Sequence, residues 1–462
     1  MGVPINVNYR YQSNELIYLL DNSDSEAVFY QGCYANQVEK IRGELPKVKV
    51  WIQLEDSTPL LEGSHAYSDV VQNTAPMPRI ERNEDNIYML YTGGTTGMPK
   101  GVMYTHGGFV NSMLKTLKGM GVDVPDELAD IKDTILNLHE NGELAKSFVA
   151  CPLMHGTGMW LGGFLSHLLG GCVVTTPNLG LDTQLLWKEV ERVGITNIII
   201  VGDSFAKPMV KELDRAVAEN KPYNLETLKL IYSSGVMFSA DVKASLLDHH
   251  DMVLMDAMGS SEGGMGSSVS TRADGAATAK FRLNPGVVVV SDEGEEVLPG
   301  SGVRGLIGTS GLVPEGYYKD KEKSDATFKE FNGTRYSFPG DYALVEADGT
   351  ITLLGRGSNC INSAGEKIYP EEVEEALKLN SNVYDSLVVG LPDERFGNKV
   401  VGVVSLAENC EIDEAELISS TREHLSGYKL PKSIIFVSEV MRAPNGKADY
   451  KWAKKVAEAE LI

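Results

Sequence analysis

The sequence predicts an α/β protein with a large N-terminal domain and a small α+β C-terminal domain. Up to about residue 263, short apolar runs alternate with segments of helical periodicity, as expected for βα units layered around a largely parallel sheet. Over residues 264–354, β segments separated by glycine and aspartate predict a β-rich subdomain. A glycine-rich break at residues 355–359 predicts the boundary between an N-terminal domain, 1–354, and a C-terminal domain, 360–462.

Each element is predicted from its hydrophobic pattern. Short runs that are apolar throughout, as strands buried on both faces should be, occur at 27–30, 87–91, 172–175, 197–201, 227–232 and 252–255. Helical periodicity marks 106–120, 181–193, 204–218 and 240–249. The clearest β segments of the following subdomain are 286–290, 306–309 and 350–354.

The C-terminal domain is predicted to begin with a helix over 371–379, because Pro370 stands at the helix position that tolerates proline best. Further strands are predicted at 384–391, 399–406 and 434–437, with helices at 413–426 and after Lys447. Residues 119–144 have the composition of a charged insertion without a defined pattern.

Composition excludes several classes of protein. The formal net charge of −22 at pH 7 opposes nonspecific nucleic-acid binding, so no nucleic-acid partner is expected. No run approaches the roughly 18 apolar residues of a membrane span, and no signal peptide is visible. The five cysteines have no CxxC spacing and suit a reducing compartment. We therefore expect a cytoplasmic protein without a transmembrane segment, while peripheral membrane contact and homodimerisation stay open.

The most informative segment is Tyr91-Thr-Gly-Gly-Thr-Thr-Gly-Met-Pro-Lys-Gly101. Its glycines allow backbone N–H groups to approach an anion, and its threonine hydroxyls and lysine add donors and positive charge. It is not a Walker A loop, because Pro99 rather than glycine precedes Lys100. It predicts a polyphosphate site formed by Thr92, Gly93, Gly94, Thr95, Thr96, Gly97 and Lys100.

This loop resembles the phosphate-binding signature of the adenylate-forming (ANL) superfamily, which contains acyl- and aryl-CoA synthetases, luciferases and peptide-synthetase adenylation domains. Five further motifs follow in the family's order: Met258-Gly-Ser-Ser-Glu262, Pro339-Gly-Asp341, Gly355-Arg356, Gly365-Glu-Lys-Ile-Tyr-Pro370 and Pro444-Asn-Gly-Lys447. The pattern is most similar to fatty-acyl-CoA synthetases, which are AMP-dependent ligases. The resemblance implies that the β-rich subdomain is a distorted barrel. It also implies that the usual N-terminal segment is missing, because residues 1–10 resemble a stretch inside the family's first domain.

The resemblance implies a nucleotide site. Glu262 would hold the Mg²⁺ that bridges the phosphates of ATP, and Ser261 would contact the α-phosphate. Asp341 and Arg356 would bind the ribose hydroxyls. The adenine and the adjoining backbone would lie against Ser234, Gly235, Asp256, Met258 and Gly259. Met258 departs from the family, which usually has an aromatic residue stacking on adenine at this position.

The resemblance also implies the remaining roles. Lys447 would reach the reacting carboxylate and the bridging oxygen, so that Thr95, His155, Glu262 and Lys447 are the candidate catalytic residues. An acyl pocket would be lined by His155, Trp160, Phe164 and Met265. The small domain would rotate as a lid about Ser358, and Gly365 and Lys367 would face the channel for the coenzyme A thiol.

The predicted function is therefore an ATP-, Mg²⁺- and CoA-dependent acid–thiol ligase that activates a fatty or other hydrophobic carboxylic acid through an acyl-adenylate. One alternative is an α/β-hydrolase, since Gly259-Ser-Ser261-Glu-Gly263 fits GxSxG and Asp341 and His424 follow in order. That alternative leaves the threonine-rich loop and Lys447 without a role. A second alternative is a truncated, inactive member that only binds nucleotide. The GxGxxG match at 300–305 is rejected because no helix is predicted after it.

Overall fold

The computed structural model describes residues 2–92, 98–178, 180–275, 280–363, 366–393, 397–443 and 446–461, without the side chains of Ser358 and Lys367. The chain divides into two compact units. The first is Met1–Thr116 with Pro314–Ala326, and the second is Leu117–Val313 with Thr327–Ile462.

The α-helices of the described residues are α1 Ser13–Asn22, α2 Ala35–Ile41, α3 Tyr67–Gln72, α4 His106–Gly119, α5 Ile131–Glu140, α6 Leu165–Leu168, α7 Thr183–Glu189, α8 Gly202–Ala218, α9 Ala240–His249, α10 Lys321–Thr327, α11 Pro370–Lys378, α12 Glu414–Thr421 and α13 Tyr450–Leu461. Two π-helical segments, Thr157–Phe164 and Val190–Gly194, adjoin α6 and α7. None of the described helices is both long and apolar enough to cross a bilayer.

The strands of the described residues are β1 Ala27–Gln31, β2 Val50–Leu54, β3 His65–Ala66, β4 Ile87–Thr92, β5 Lys100–Thr105, β6 Lys146–Val149, β7 Cys172–Val174, β8 Asn197–Ile200, β9 Leu230–Ser234, β10 Val253–Ser260, β11 Gly263–Ser270, β12 Lys280–Leu283, β13 Val287–Val290, β14 Arg304–Thr309, β15 Gly316–Tyr317, β16 Phe328–Phe331, β17 Thr334–Ser337, β18 Asp341–Val345, β19 Thr350–Arg356, β20 Ile361–Ser363, β21 Glu366–Ile368, β22 Val383–Asp393, β23 Gly397–Leu406 and β24 Ser433–Val437.

The first unit contains two small sheets. Strands β1, β2 and β3 are parallel, and the buried side chains of Leu19 from α1 and Ile41 from α2 pack with Trp51 of β2 in one hydrophobic cluster. Strands β4 and β5 form an antiparallel hairpin, to which β15 adds as a third antiparallel strand. The Tyr91 hydroxyl donates a hydrogen bond to Asn22 Oδ1 (2.7 Å) and ties this hairpin to the end of α1.

The second unit is built on a mixed sheet of 13 strands. Strands β7, β6, β8, β9 and β10 are parallel, with fully buried side chains such as Ile198 and Leu254. From β10 the sheet continues through the antiparallel strands β11, β12, β19, β18, β14, β17 and β16, and β13 pairs with β14. The β-rich segment therefore extends the parallel sheet by continuous strand pairing.

The C-terminal part of this unit has its own three-stranded sheet, β22-β23-β24. Side chains alternate between its two faces, as the pleat of a strand requires. Val388 and Val404 pack with Val373 of α11 and Leu417 of α12 on one face. On the other face, residues such as Val403 pack with α13.

Most predicted elements are confirmed. The helix predicted over 240–249 is α9, and Pro370 occupies the first turn of α11. The predicted strands 27–30, 384–391 and 399–406 are β1, β22 and β23. The helix predicted over 413–426 is shorter in the structure. Asp413 is the N-cap of α12, and the helix ends at Thr421. The insertion at 119–144 contains the helix α5.

One expectation about the threonine-rich loop is wrong. Residues 87–91 were expected to belong to the βα alternation of the parallel sheet, but β4 pairs antiparallel with β5 and not with a parallel neighbour. The loop therefore connects the two strands of a hairpin rather than a strand and a helix. Residues 98–105 show no helical periodicity, so the strand β5 could have been predicted from them.

We predict that Gly202→Ala destabilises the second unit. Gly202 has φ +51° at the start of α8, and an added Cβ would lie 2.2 Å from the Met237 carbonyl oxygen. Because that obstacle is backbone, we expect a loss of about 3 kcal/mol or more in the free energy of unfolding, measured by urea titration. Gly294→Ala is the matched control, since its φ of +85° is also positive but nothing lies within 4 Å of the added Cβ. A control as destabilised as Gly202→Ala would contradict the steric argument.

Candidate functional site

Glu262 lies in the turn between β10 and β11. Strand β10 ends at Ser260, β11 begins at Gly263, and a register shift between Met258 and Gly259 loosens the ladder just before the turn. The backbone N–H of Glu262 donates to Ser260 Oγ (3.1 Å), and the Glu262 side chain is largely buried. The turn therefore presents a carboxylate at the carboxyl end of β10, which is where open α/β sheets bind ligands.

Asp341 and Arg356 are brought together by strand register. They face each other across β18 and β19, and Arg356 Nε donates to Asp341 Oδ1 (3.3 Å). Burial raises the pKa of the Asp341 carboxyl, and the guanidinium only partly opposes this shift. Asp341 Oδ2 is buried and accepts no hydrogen bond from the described residues. A second acceptor is thus available to a ligand donor.

Lys447 follows a tight turn in which the Gly446 N–H donates to the Ala443 carbonyl (2.8 Å). Its side chain keeps contact with solvent, yet surrounding protein lowers the pKa of the ammonium. The Arg356 guanidinium lowers this pKa further, while the carboxylates of Glu262 and Asp341 oppose the shift. Lys447, Glu262, Asp341 and Arg356 therefore belong to one electrostatic cluster.

His155 lies after β6 and before the π-helical segment Thr157–Phe164. Its Nε2 atom is buried and has no hydrogen-bond partner among the described residues. Burial, aided by the nearby Lys447 ammonium, lowers the pKa of His155 to about 4, so the imidazole is neutral at pH 7. The neutral ring therefore has one unsatisfied polar atom, and it interacts electrostatically with Lys447.

Trp160 and Phe164 are half-buried on the same π-helical segment. π-helical segments are rare and frequently occur at functional sites. Gly162 permits the close approach of this segment to the sheet, since an added Cβ would lie 2.5 Å from Val149. Met265 instead packs in the core of the β-rich segment with Met258, and only 1 % of its surface is exposed. Its place in an acyl pocket stays a prediction.

Ser234 ends β9 and Gly235 follows it, while Asp256 lies within the neighbouring strand β10, opposite Ser233 of β9. Burial raises the pKa of Asp256 to about 7, although the fully buried Lys243 donates to it at 3.5 Å and opposes the shift. Sequence reasoning missed Lys243. The signal was a lysine at helical spacing with the buried Leu246 and Leu247 of α9, since a charge in an apolar stripe requires a buried partner.

Several predicted site residues cannot be placed in this arrangement. Gly93, Gly94, Thr95, Thr96 and Gly97 lie outside the described residues, as do Gly365 and the side chains of Ser358 and Lys367. Thr92 and Lys100 belong to the first unit and are described there alone, with Lys100 Nζ 5.2 Å from the centroid of the Tyr317 ring. Among the described residues no group of three or more His, Cys, Asp or Glu side chains could hold a metal by itself.

The hydrolase alternative is wrong. Ser261 lies in a turn that leads into β11, whereas a nucleophile elbow leads from a strand into a helix. His424 is exposed and lines a surface hollow of about 360 Å³ together with residues of the C-terminal part such as Asn380 and Ser420. Neither serine nor histidine has the setting that a catalytic triad needs.

Comparison with known proteins identifies the relatives of the chain. A model of the AMP-binding enzyme family matches residues 2–318, and one of the AMP-binding enzyme C-terminal domain matches residues 372–447. A 3-oxocholest-4-en-26-oate–CoA ligase of Rhodococcus rhodochrous is 41 % identical over 98 % of this chain and 82 % of the relative. A medium/long-chain-fatty-acid–CoA/3-oxocholest-4-en-26-oate–CoA ligase of Mycolicibacterium smegmatis is 40 % identical over 99 % of this chain and 83 % of the relative.

Solved structures share the fold. An anthranilate CoA ligase bound to anthranoyl-AMP superposes with a TM-score of 0.80 at 20 % identity and covers 100 % of this chain and 84 % of its own. The O-succinylbenzoate coenzyme A synthetase of Bacillus subtilis, in complex with ATP and magnesium ion, gives a TM-score of 0.76 at 19 % identity, over 98 % of this chain and 84 % of its own.

We predict that His155 makes stability depend on pH. Its folded pKa of about 4 lies below the unfolded value of 6.5, so the unfolded state binds more protons between these values. Its contribution is complete above pH 6.5 and is lost as pH falls toward 4. Between pH 7.5 and 5.0, urea titrations of wild type should lose about 2 kcal/mol more free energy of unfolding than those of His155→Gln.

The matched control is His167→Gln, because His167 is exposed on α6. In His167→Gln, the free energy of unfolding should depend on pH as it does in wild type. If His155→Gln also showed the wild-type dependence, the imidazole of His155 would not be buried in its neutral form.

Proposed function

The chain belongs to the AMP-binding enzyme family, and from this premise we propose that it is an AMP-forming carboxylate–CoA ligase that acts on a hydrophobic acid. In the first step the carboxylate attacks the α-phosphorus of ATP, which gives an acyl-adenylate and releases pyrophosphate. In the second step the thiol of coenzyme A attacks the acyl carbon, which gives the thioester and releases AMP. The first step turns an unreactive carboxylate into an electrophile before the thiol arrives.

The observation that carries this proposal is the position of Lys447 among Glu262, Asp341 and Arg356. During adenylation, negative charge shifts from the attacking carboxylate to the bridging oxygen of the leaving pyrophosphate. An ammonium held beside both groups stabilises this charge most in the transition state, and surrounding protein strengthens the interaction relative to water. We assign this role to Lys447.

The neighbouring residues are suited to a nucleotide. The free acceptor Asp341 Oδ2 is suited to the hydroxyl donors of a ribose, and Arg356 fixes the other oxygen of the same carboxylate. Glu262 supplies the one acidic oxygen ligand that a Mg²⁺ ion needs when phosphate oxygens and water complete its coordination. Magnesium would neutralise phosphate charge when bound. Thr92, Thr95 and Lys100 of the threonine-rich loop are proposed to bind phosphate, as the resemblance implies.

The acyl group is proposed to lie along the π-helical segment, with its carboxylate toward Lys447 and its apolar part against Trp160 and Phe164. Both side chains are half-buried and apolar, and His155 near Lys447 is neutral and adds no charge. The relatives above are ligases of medium- and long-chain fatty acids and of a steroid side-chain acid. We propose acids of these two kinds as substrates.

The later step is proposed to involve the C-terminal part of the chain. Residues 360–462 would act as a lid that rotates about Ser358 after adenylation, and Gly365 and Lys367 would then line the passage for the coenzyme A thiol. Sequence resemblance supports these roles. The flanking Gly355 has φ +108° and Gly357 has no side chain, so the connection has the backbone freedom that a hinge uses.

We predict that Lys447→Ala abolishes acyl-adenylate formation, with a loss on the order of 10³-fold in ATP–pyrophosphate exchange, because it removes the transition-state charge partner. Thioester formation from supplied acyl-adenylate and coenzyme A should stay within about threefold of wild type. The matched control is Lys451→Ala, a lysine exposed on α13, which should change neither step. An equal loss of both steps in Lys447→Ala would contradict the assigned role.

The experiment that tests the function is ATP–pyrophosphate exchange of the wild-type chain with a panel of acids that includes short, medium and long fatty acids, aromatic acids and steroid side-chain acids. Exchange with the apolar members supports the proposal. Nucleotide binding without exchange for any acid would instead identify an inactive member of the family.

A further inference from the structure

Helix α8 turns one face toward the C-terminal part of the same unit. Ser204, Lys207 and Lys211 are spaced three and four residues apart and so share this face. The opposite face is buried in the core through Phe205, Met209 and Leu213. Each of the three polar side chains lies against a residue between Val383 and Lys447, although the site described above uses none of them.

Lys207 makes the most specific of these contacts. Its Nζ donates a hydrogen bond to the Tyr384 carbonyl (2.5 Å) and lies 4.9 Å from the centroid of the Tyr384 ring. The side chain is only 24 % exposed, and Asp203 Oδ2 lies 3.9 Å from the ammonium. The donor is a charged, partly desolvated ammonium. Its hydrogen bond to the Tyr384 carbonyl is therefore stronger than one between neutral groups.

Tyr384 is linked to Lys447 by a short chain of hydrogen bonds. Asp385, the next residue, receives two bonds from Arg442, from Nε (2.6 Å) and from Nη2 (2.7 Å). Arg442 Nη1 donates in turn to the Gly446 carbonyl (3.1 Å), one residue before Lys447. Both charged side chains are mostly buried, with 14 % of Arg442 and 18 % of Asp385 exposed, so this bidentate pair is a rigid connection.

The start of α8 also limits where the turn before Lys447 can lie. Gly446 is buried with φ +73°, and an added Cβ would lie 2.5 Å from Ser204 Oγ and 3.1 Å from Val201 Cγ1. Ser204 Oγ is itself fixed, because it donates to the Val201 carbonyl (2.8 Å). The turn therefore packs directly on the first residues of α8.

We propose that Lys207 is a positioning residue for Lys447, so that α8 sets the efficiency of acyl-adenylate formation. The inference rests on the proposed function, in which Lys447 acts in adenylation and not in thioester formation. Loss of the Lys207 contact frees Tyr384, and through Asp385 and Arg442 it frees the turn that carries Lys447. Displacement of a reacting group by about 1 Å costs on the order of 100-fold in rate.

The test compares Lys207→Met with wild type, because methionine keeps an apolar stem over the Tyr384 ring and removes the donor. ATP–pyrophosphate exchange should fall on the order of 10- to 100-fold. Thioester formation from supplied acyl-adenylate should stay within about twofold. Lys207→Arg restores a donor and should recover most of the exchange.

Lys211→Met is the matched control on the same helix face. Its ion pair with Glu408 (2.6 Å) is highly exposed, 70 % for Lys211 and 79 % for Glu408, and such pairs contribute little. Exchange should change by no more than about twofold. An equal fall of ATP–pyrophosphate exchange in Lys207→Met and Lys211→Met would overturn the proposal in favour of a general structural role. So would an equal fall of adenylation and thioester formation in Lys207→Met.

A second measurement is independent of activity. Hydrogen exchange of the peptide around residues 443–448 reports the turn, whose Gly446 N–H is bonded to the Ala443 carbonyl and whose Ala443 N–H is bonded to the Lys447 carbonyl (2.8 Å each). These amides should exchange at least about tenfold faster in Lys207→Met and not in Lys211→Met. Faster hydrogen exchange in Lys207→Met, together with no ligase activity in the wild-type chain, would support the positioning role and refute the proposed function. Unchanged hydrogen exchange in Lys207→Met would refute the positioning role alone.

Discussion

The charges of Lys447, Arg356, Glu262 and Asp341 act on one another, and the proposed chemistry depends on this interaction. Two positive and two negative groups interact here, yet for Lys447 and Asp341 this pairing does not make up for lost hydration. The pKa of Lys447 is lowered and that of Asp341 is raised, and desolvation is the largest cause in both cases. An anion beside Lys447 favours the ammonium, and hydroxyl donors beside Asp341 favour the carboxylate. The cluster is therefore better satisfied by a phosphorylated ligand with hydroxyl groups than by water alone.

Three backbone features position the four members of this cluster. The register of β18 and β19 places Asp341 opposite Arg356, and the turn after β10 presents Glu262. Lys447 directly follows Gly446, whose carbonyl accepts a hydrogen bond from Arg442 Nη1. Because the segments are distant in sequence, the cluster exists only when the mixed sheet and the C-terminal part are both folded.

Local pattern was enough to predict most elements, whereas most residues of the site were predicted from resemblance to a family. Strands β8 and β23 are visible as apolar runs, and the start of α11 is visible as a proline, because these signals come from residues close together in the sequence. The pairing of strands gives no such local signal. The β-rich segment joins the parallel sheet through β10 and β11, and β4 pairs with β5, because register and partner are set by contacts far apart in sequence.

The residues that sequence reasoning missed share one property, which is that their partners are distant. Lys243 faces Asp256 from another element, and Lys207 reaches a carbonyl 177 residues away. A lysine on a helix is usually a solvated surface residue, so its type alone carries no signal. Only burial, which depends on what packs against the helix, distinguishes these two lysines from the exposed ones.

The neutrality of His155 follows from burial and from the same charges, and it bears on how an acid would lie in the proposed site. Protonation would place a second cation near Lys447 in a poorly hydrated setting, which is why the pKa of His155 falls to about 4. The attraction on a carboxylate then comes from Lys447 rather than from the histidine. Trp160 and Phe164 lie beyond His155 in the sequence, on a segment without charged side chains. On the proposed function, an acid with a long apolar part is therefore oriented by one cation at one end and by apolar contact at the other.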